Sequence, residues 1–194
     1  MREIALFVED IAHQQVIGAL VQRLAREYGI DVRLDWRSAV RGHGRVVREL
    51  RNYLRDLTDQ RDRLPDLIIV ATDANCSGLN ERTREIGSQH APAPITLAIP
   101  DPHIERWLLL DSAAFKNVFG RGCNAPDQKC DRDLYKQRLS EAIYDAGIMP
   151  SLGGIEYAED IVQEMNFARA KRADRSFRRF ADDLSRTFQL WQSE

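Results

Sequence analysis

Three acidic side chains follow predicted strands, at positions where carboxylates could act together on a phosphate group. They are Glu9, Asp73 and Glu105. In an open α/β sheet, ligands bind outside the carboxyl ends of the strands, so acids that follow strands converge on one crevice. Clustered oxygen donors are what a hard cation such as Mg²⁺ or Mn²⁺ requires. We therefore predict that the three acids are catalytic, and that Glu9, Asp73 and nearby Asn75 hold the metal ion.

The elements that must position these acids are visible as apolar runs and helical periodicity. A continuous apolar run predicts a buried strand of the parallel-sheet type at 3–8, and further strands are predicted at 30–36, 67–72 and 95–99. Amphipathic segments predict helices at 11–28, 45–62 and 79–87. This alternation favours an α/β fold with a mainly parallel, four-stranded sheet flanked by helices.

The second half of the chain has no comparable strand. Helical spacing of apolar residues predicts helices at 104–119, 132–146, 157–165 and 170–191. The glycines near residue 120 interrupt the pattern. We therefore divide the chain into an α/β domain over 1–120 and a C-terminal helical appendage over 121–194 that packs on it.

Composition limits the class of protein and its setting. The chain has 194 residues and a net charge of −2, which argues against a uniformly basic surface but allows a local basic groove. No apolar run approaches the length of a membrane span. The three cysteines (Cys76, Cys123 and Cys130) cannot all pair, and no CxxC motif is present. A reduced, cytoplasmic setting fits this pattern best.

Two segments resemble the Toprim domain of topoisomerases, primases and nucleases of the overcoming-lysogenization-defect type. Residues 7–10 (Phe-Val-Glu-Asp) precede a helix, and a later strand ends in Asp73-x-Asn75. Residues 99–111 resemble a block in stand-alone Toprim-like proteins that often accompany ATPases in anti-phage systems. The resemblance covers roughly residues 3–112. It implies a Toprim-like fold, Mg²⁺ binding and phosphodiester chemistry.

One residue departs from the Toprim pattern. The pattern has Asp-x-Asp after the third strand, but its second acid is Asn75 here. An amide oxygen can still coordinate a cation, yet the site loses one negative charge. Glu105 and Asp101 are candidates to compensate, and Asp10 is a weaker one.

Each proposed site residue also has an ordinary structural interpretation. Glu9 could pair with the dipole of the following helix, and Asp73 could cap a turn. Glu105 could be either functional or structural. For His13, an exposed or otherwise satisfied histidine is favoured over a site residue, whereas His103 lies nearer the predicted crevice.

Basic residues near the predicted crevice could contact phosphate groups. The candidates are Arg37, Arg41, His43, Lys129 and Lys136. His43 lies between two glycines, which could let the backbone approach a phosphate or could simply form a turn before the helix. The arginine-rich start of the last helix is interpreted as a solvated face.

These observations favour a Mg²⁺- or Mn²⁺-dependent nuclease that acts on DNA or RNA, as a cytoplasmic effector in anti-phage defence. The main alternative is a non-catalytic Toprim-like subunit or sensor that acts with an ATPase partner, which the loss of charge at Asn75 favours. A hydrolase of small phosphate esters is a third possibility. The sequence leaves DNA versus RNA open, and an oligomer is possible.

Overall fold

A computed structural model describes residues 1–38, 43–59, 64–87, 91–131 and 133–194. Its centre is a four-stranded sheet in the order β2-β1-β3-β4, in which each neighbouring pair is parallel. The strands are β1 (Arg2–Val8), β2 (Val32–Ser38), β3 (Leu67–Ala71) and β4 (Ile95–Ala98). The predicted α/β class and the parallel sheet are confirmed.

Helices cover the sheet and form most of the second half of the described chain. They are α1 (Ile11–Glu27), α2 (His43–Asp59), α3 (Leu79–Gly87), α4 (Glu105–Leu108), α5 (Ser112–Phe119), α6 (Leu134–Asp145), α7 (Ala158–Glu164), α8 (Phe167–Ala173) and α9 (Arg175–Gln192). Short 3-10 turns occur at Asn75–Ser77 and Ile155–Tyr157. No helix among the described residues is both long enough and apolar enough to cross a membrane.

Alternating strand residues divide the core into two layers. One face of the sheet packs against α1 and the C-terminal helices, and β1 contributes Ile4, Leu6 and Val8 to it. Ala5 and Phe7 pack on the other face with apolar residues of α2 and α3. Because both faces of the two central strands are covered, β3 and most of β1 are continuously apolar, whereas the edge strand β2 alternates apolar and charged residues.

Helix α1 has clear start and stop residues. Asp10 is its N-cap and accepts a hydrogen bond from the backbone N–H of His13 at 3.0 Å. Gly29, with φ of 65°, follows the C-cap and ends the helix as the sequence predicts. The helix therefore presents a fixed face to the sheet, with His13 on its first turn.

Two predicted helices are each divided in the structure. The segment 104–119 forms α4 and α5, and Asp111 separates them by accepting hydrogen bonds from the backbone of Ala113 and Ala114. The segment 170–191 falls in α8 and α9, and Asp174 caps the second of these. In both places an aspartate side chain satisfies the free N–H groups of a new helix.

The helices after residue 120 belong to the same core as the sheet. Helix α7 lies against α1 and α5, and α9 lies against β4 and α1. Their buried aromatic residues include Phe177, Phe180 and Phe188. This packing fixes the helical half of the chain beside the end of β4.

Two of the three cysteines are joined. Cys76 and Cys130 form a disulfide with a Cα–Cα distance of 5.2 Å, whereas Cys123 is a buried free thiol. The cysteine spacing alone favours reduced thiols, so this pairing is a difference between the structure and the sequence-based expectation.

Candidate functional site

The structure brings Glu9 and Asp73 together at the carboxyl ends of neighbouring strands. β1 and β3 are paired up to Val8 and Ala71, so the residues that follow emerge side by side. The Thr72 hydroxyl donates to Glu9 Oε2 at 2.5 Å, and the Asp73 backbone N–H donates to the same oxygen at 3.3 Å. The predicted convergence of these two acids is therefore present.

The carboxylate of Asp73 lies between two histidines. Its Oδ2 is 2.9 Å from Nδ1 of His103, and its Oδ1 is 3.2 Å from Nε2 of His13. The second contact is an ion pair without the alignment of a hydrogen bond, since the N–H of His13 does not point at the oxygen. Asp73 thus serves as the centre of a cluster rather than as a turn cap.

His13 is a buried member of this cluster. Its side chain is 0 % exposed, and its Nδ1 is 2.8 Å from Oδ1 of Asp10. Burial opposes the charged imidazole, but the negative charges of Asp73 and Asp10 outweigh that effect and raise the pKa of His13 to about 10. In turn, the hydrogen bond to His13 overcomes burial and lowers the pKa of Asp10 to about 2.

His103 approaches Asp73 from the loop that follows β4. This loop runs beside the loop after β3, since the N–H of Ala74 donates to Pro100 O at 2.8 Å and that of Asn75 donates to Pro102 O at 3.1 Å. The hydrogen bond to Asp73 raises the pKa of His103 despite its burial. Two parallel loops therefore fix the two partners of this hydrogen bond.

Glu105 begins helix α4 and lies within electrostatic reach of the same cluster. Burial raises the pKa of Glu105, and the negative charge of Asp73 raises it further. The third predicted acid is therefore within electrostatic range of Asp73.

Asn75 occupies a special backbone position in the 3-10 turn after β3. Its φ is 50°, in the left-handed region that Asn and Asp tolerate better than other non-glycine residues. Its Nδ2 donates to the backbone oxygen of Asp73 at 3.4 Å. The amide oxygen of this side chain is the group that could coordinate a cation.

The site offers few protein ligands for a metal ion. Within the described ranges, no group of three or more His, Cys, Asp or Glu side chains forms a metal cage. Mg²⁺, however, is usually held through one or two carboxylates and keeps several waters. Asp73 Oδ1 is buried and accepts no aligned hydrogen bond from the described residues, so it retains acceptor capacity. Glu9 and Asp73 are the carboxylates at this edge of the sheet that could serve as such ligands, although His13 lies 3.2 Å from Asp73 Oδ1.

The predicted phosphate-binding residues that the structure describes lie on different elements. Arg37, at the end of β2, donates to Asp35 Oδ2 and lies 4.3 Å from the ring centroid of Tyr53. Lys129 lies in a loop beside the site. Lys136 lines a separate cleft of about 650 Å³, which Glu9, Asp73 and Glu105 do not line. Arg41 lies outside the described residues, as does the side chain of His43.

His13, Asp10 and Thr72 join the site although sequence reasoning assigned them no firm role. The available signal was the three-residue spacing of Asp10 and His13 at a helix start, which puts both on the first turn. Thr72 immediately precedes Asp73, so its hydroxyl is carried to the same strand end.

Comparison with protein-family models, curated proteins and solved structures gives no match for this chain.

Proposed function

We propose that this chain is a Toprim-like, Mg²⁺- or Mn²⁺-dependent phosphodiester hydrolase that acts on nucleic acid. The observation that carries the proposal is the contact of Glu9 with Thr72 and Asp73 at the ends of neighbouring parallel strands. Two carboxylates at this edge of the sheet form the minimum protein contribution to a magnesium site.

In this proposal, Glu9, Asp73 and Asn75 hold the ion. When bound, it supplies charge neutralisation at the phosphoryl oxygens and lowers the pKa of a water molecule. His103 orients the Asp73 carboxylate through a hydrogen bond, as groups around a metal ligand commonly do, and His13 holds it through an ion pair.

The remaining acid has a distinct role. Burial raises the pKa of Glu105, which favours the protonated form that a general acid requires. We assign it the transfer of a proton to the leaving oxygen. Glu9 serves as the second ligand or, alternatively, as the base that takes a proton from water.

Nucleic acid would reach this edge of the sheet through basic side chains around it. The candidates are Arg37, Arg41, His43, Lys129 and Lys136. Of these, Lys129 lies in a loop beside the site. A cytoplasmic role in anti-phage defence follows from the resemblance of residues 99–111 to Toprim-like proteins that accompany ATPases.

A cleavage assay tests the proposal directly. Purified protein is incubated with plasmid DNA, single-stranded DNA, folded RNA and a mononucleotide ester, each with Mg²⁺, Mn²⁺ or a chelator. We expect metal-dependent cleavage of at least one polymer, weakening as salt concentration rises. Cleavage of the ester alone would support a small-molecule hydrolase. No cleavage of any substrate with either metal would contradict the proposal.

A second candidate is a non-catalytic subunit or sensor that acts with an ATPase partner. The observation that favours it is the pair of histidines on Asp73, because His13 balances the negative charge that would attract a cation. Asn75 in place of an acid acts in the same direction. Under this alternative the protein would bind nucleic acid or the partner without metal-dependent cleavage.

A further inference from the structure

The disulfide between Cys76 and Cys130 joins the candidate site to a loop beside it. Cys76 lies in the 3-10 turn Asn75–Ser77, directly after a predicted metal ligand. Cys130 lies near the end of residues 124–131, a segment without helix or strand that we call the strap. Both cysteines are exposed, so small thiols can reach the bond.

The strap also contacts the opposite side of the site. The side chain of Gln128 donates to Asp101 O at 3.1 Å, in the loop that carries His103. The Tyr135 hydroxyl accepts from the N–H of Lys129 at 2.8 Å and donates to Asp127 O at 2.9 Å. The ring of Tyr135 in turn lies 6.1 Å from that of His103. The strap thus spans the two loops in which Asp73 and His103 meet.

Most side chains of the strap are exposed. Its described hydrogen bonds to the rest of the protein are that of Gln128 with Asp101 and those of Asp127 and Lys129 with the Tyr135 hydroxyl. Segments with little burial and few hydrogen bonds open with small free energies. The covalent bond at Cys130 is the restraint that joins this end of the strap directly to the Asn75–Ser77 turn.

We propose that the Cys76–Cys130 disulfide is a reversible redox latch that closes the strap over the edge of the strand-end site. The oxidised protein holds the strap closed, and the reduced protein releases it. The further step, in which release of the strap admits a polymeric substrate, rests on the proposed function. The latch itself does not. Disulfides in a reducing compartment are commonly transient or redox-sensing, which agrees with a cytoplasmic setting.

The chemistry is ordinary thiol–disulfide exchange. A thiolate of a low-molecular-weight dithiol attacks one sulfur of the bond, forms a mixed disulfide and releases the other cysteine as a thiolate. The second thiol of the reagent then displaces the remaining cysteine. Two electrons and two protons pass from the dithiol to Cys76 and Cys130, and the reagent leaves as a cyclic disulfide. Glutathione disulfide reverses the change and leaves as two glutathione molecules.

Cys123 provides an internal control because it is chemically separate from the latch. It is buried, and its Sγ lies 3.7 Å from Leu109 O as a weak hydrogen bond. Burial raises the pKa of its thiol to about 12, so little reactive thiolate forms. Replacing it with alanine removes the third thiol and leaves the latch intact.

Limited proteolysis with trypsin tests the latch without any assumption about activity. The exposed bond after Lys129 lies in the strap, so its cleavage reports strap opening. The full chain is first oxidised with glutathione disulfide or reduced with a dithiol, and the state of its cysteines is measured by intact mass. Trypsin is then added, and the fragments are quantified over time. Cys76→Ser is the permanently unlatched variant, and Cys123→Ala is the control.

We expect reduction to accelerate cleavage after Lys129 by about tenfold or more, since cleavage follows the population of the open form. Cys76→Ser should be cleaved at the fast rate in both buffers, and Cys123→Ala should respond like the parent. Equal rates for the oxidised and reduced parent would overturn the latch, as would failure of glutathione disulfide to join Cys76 to Cys130 in folded protein. If reduction accelerates cleavage after Lys129 but the protein has no nuclease activity, the proposed function is refuted and the latch is not.

Discussion

The imidazole of His13, on the first turn of α1, contacts the carboxylate of Asp73 beyond β3 at 3.2 Å, and this histidine is completely buried. The opposite side of the same imidazole faces Asp10 at 2.8 Å. A buried cation therefore balances two aspartates at the edge of the sheet. The site is consequently a mixed cluster of acids and histidines rather than the bare set of carboxylates that strand ends alone suggest.

This pairing makes Asp73 important for stability. Asp73→Ala leaves His13 buried with one fewer counter-charge, so we expect it to lower the free energy of unfolding by about 2–4 kcal/mol. Asp73→Asn retains an acceptor and should cost less. Chemical denaturation followed by circular dichroism measures both. Asp145→Ala, at an exposed position, is the control and should change stability by no more than about 0.5 kcal/mol. If Asp73→Ala has the same free energy of unfolding as the parent, the ion pair is absent in solution.

The same cluster predicts an unusual titration of His13. Its pKa is raised from 6.5 to about 10 in the folded protein, so its contribution to stability is complete below pH 6.5 and is lost as the pH rises toward 10. Nitrogen-detected NMR of the metal-free protein should show an imidazolium for His13 at pH 8. Assignment comes from His13→Gln. A midpoint near 6.5 for this resonance would contradict the arrangement.

Glu9 differs from Asp73 because it can be changed without leaving a buried charge. In Glu9→Gln, the amide oxygen can still accept from Thr72 and from the N–H of Asp73. We expect the free energy of unfolding to remain within about 1 kcal/mol of the parent, since both donors keep an acceptor. Metal-dependent cleavage should fall by about a hundredfold or more, the usual effect of losing a catalytic or ligand carboxylate.

An exposed acid tests the specificity of that loss. Glu81→Gln, on the exposed face of α3, should keep both the fold and the cleavage rate. Cleavage by Glu9→Gln at the parent rate would indicate either that Glu9 is not catalytic or that a contaminating nuclease produces the signal.

The strand–helix alternation was sufficient to predict the sheet, because short apolar runs separated by amphipathic helical segments are typical of parallel α/β structure. The convergence of Glu9 and Asp73 followed from the same pattern, since strands paired in parallel deliver their ends to one edge. The structure confirms the fold and this proximity, while the catalytic roles stay predictions.

Other features depend on contacts that sequence patterns do not encode. The inward orientation of His13 follows from the N-cap at Asp10 and from the rotation of α1 against the sheet. Asp111 and Asp174 divide predicted helices because their side chains compete for backbone N–H groups. The disulfide joins residues separated by 54 positions, and only the fold brings Cys76 and Cys130 together.

Position 75 offers the most direct test of whether this cluster holds a divalent cation. Asn75→Asp restores the second acid of the Toprim pattern, and aspartate tolerates the left-handed backbone found there. Because the number of charged ligands is a main determinant of affinity for a hard cation, we expect Mn²⁺ to bind about tenfold more tightly to Asn75→Asp than to the parent. Calorimetric titration of Mn²⁺ into both metal-free proteins, with Glu9→Gln as the weakened control, measures the difference. Tighter binding by Asn75→Asp and weaker binding by Glu9→Gln would support the metal-site assignment, whereas unchanged affinity or no binding by any of the three proteins would contradict it.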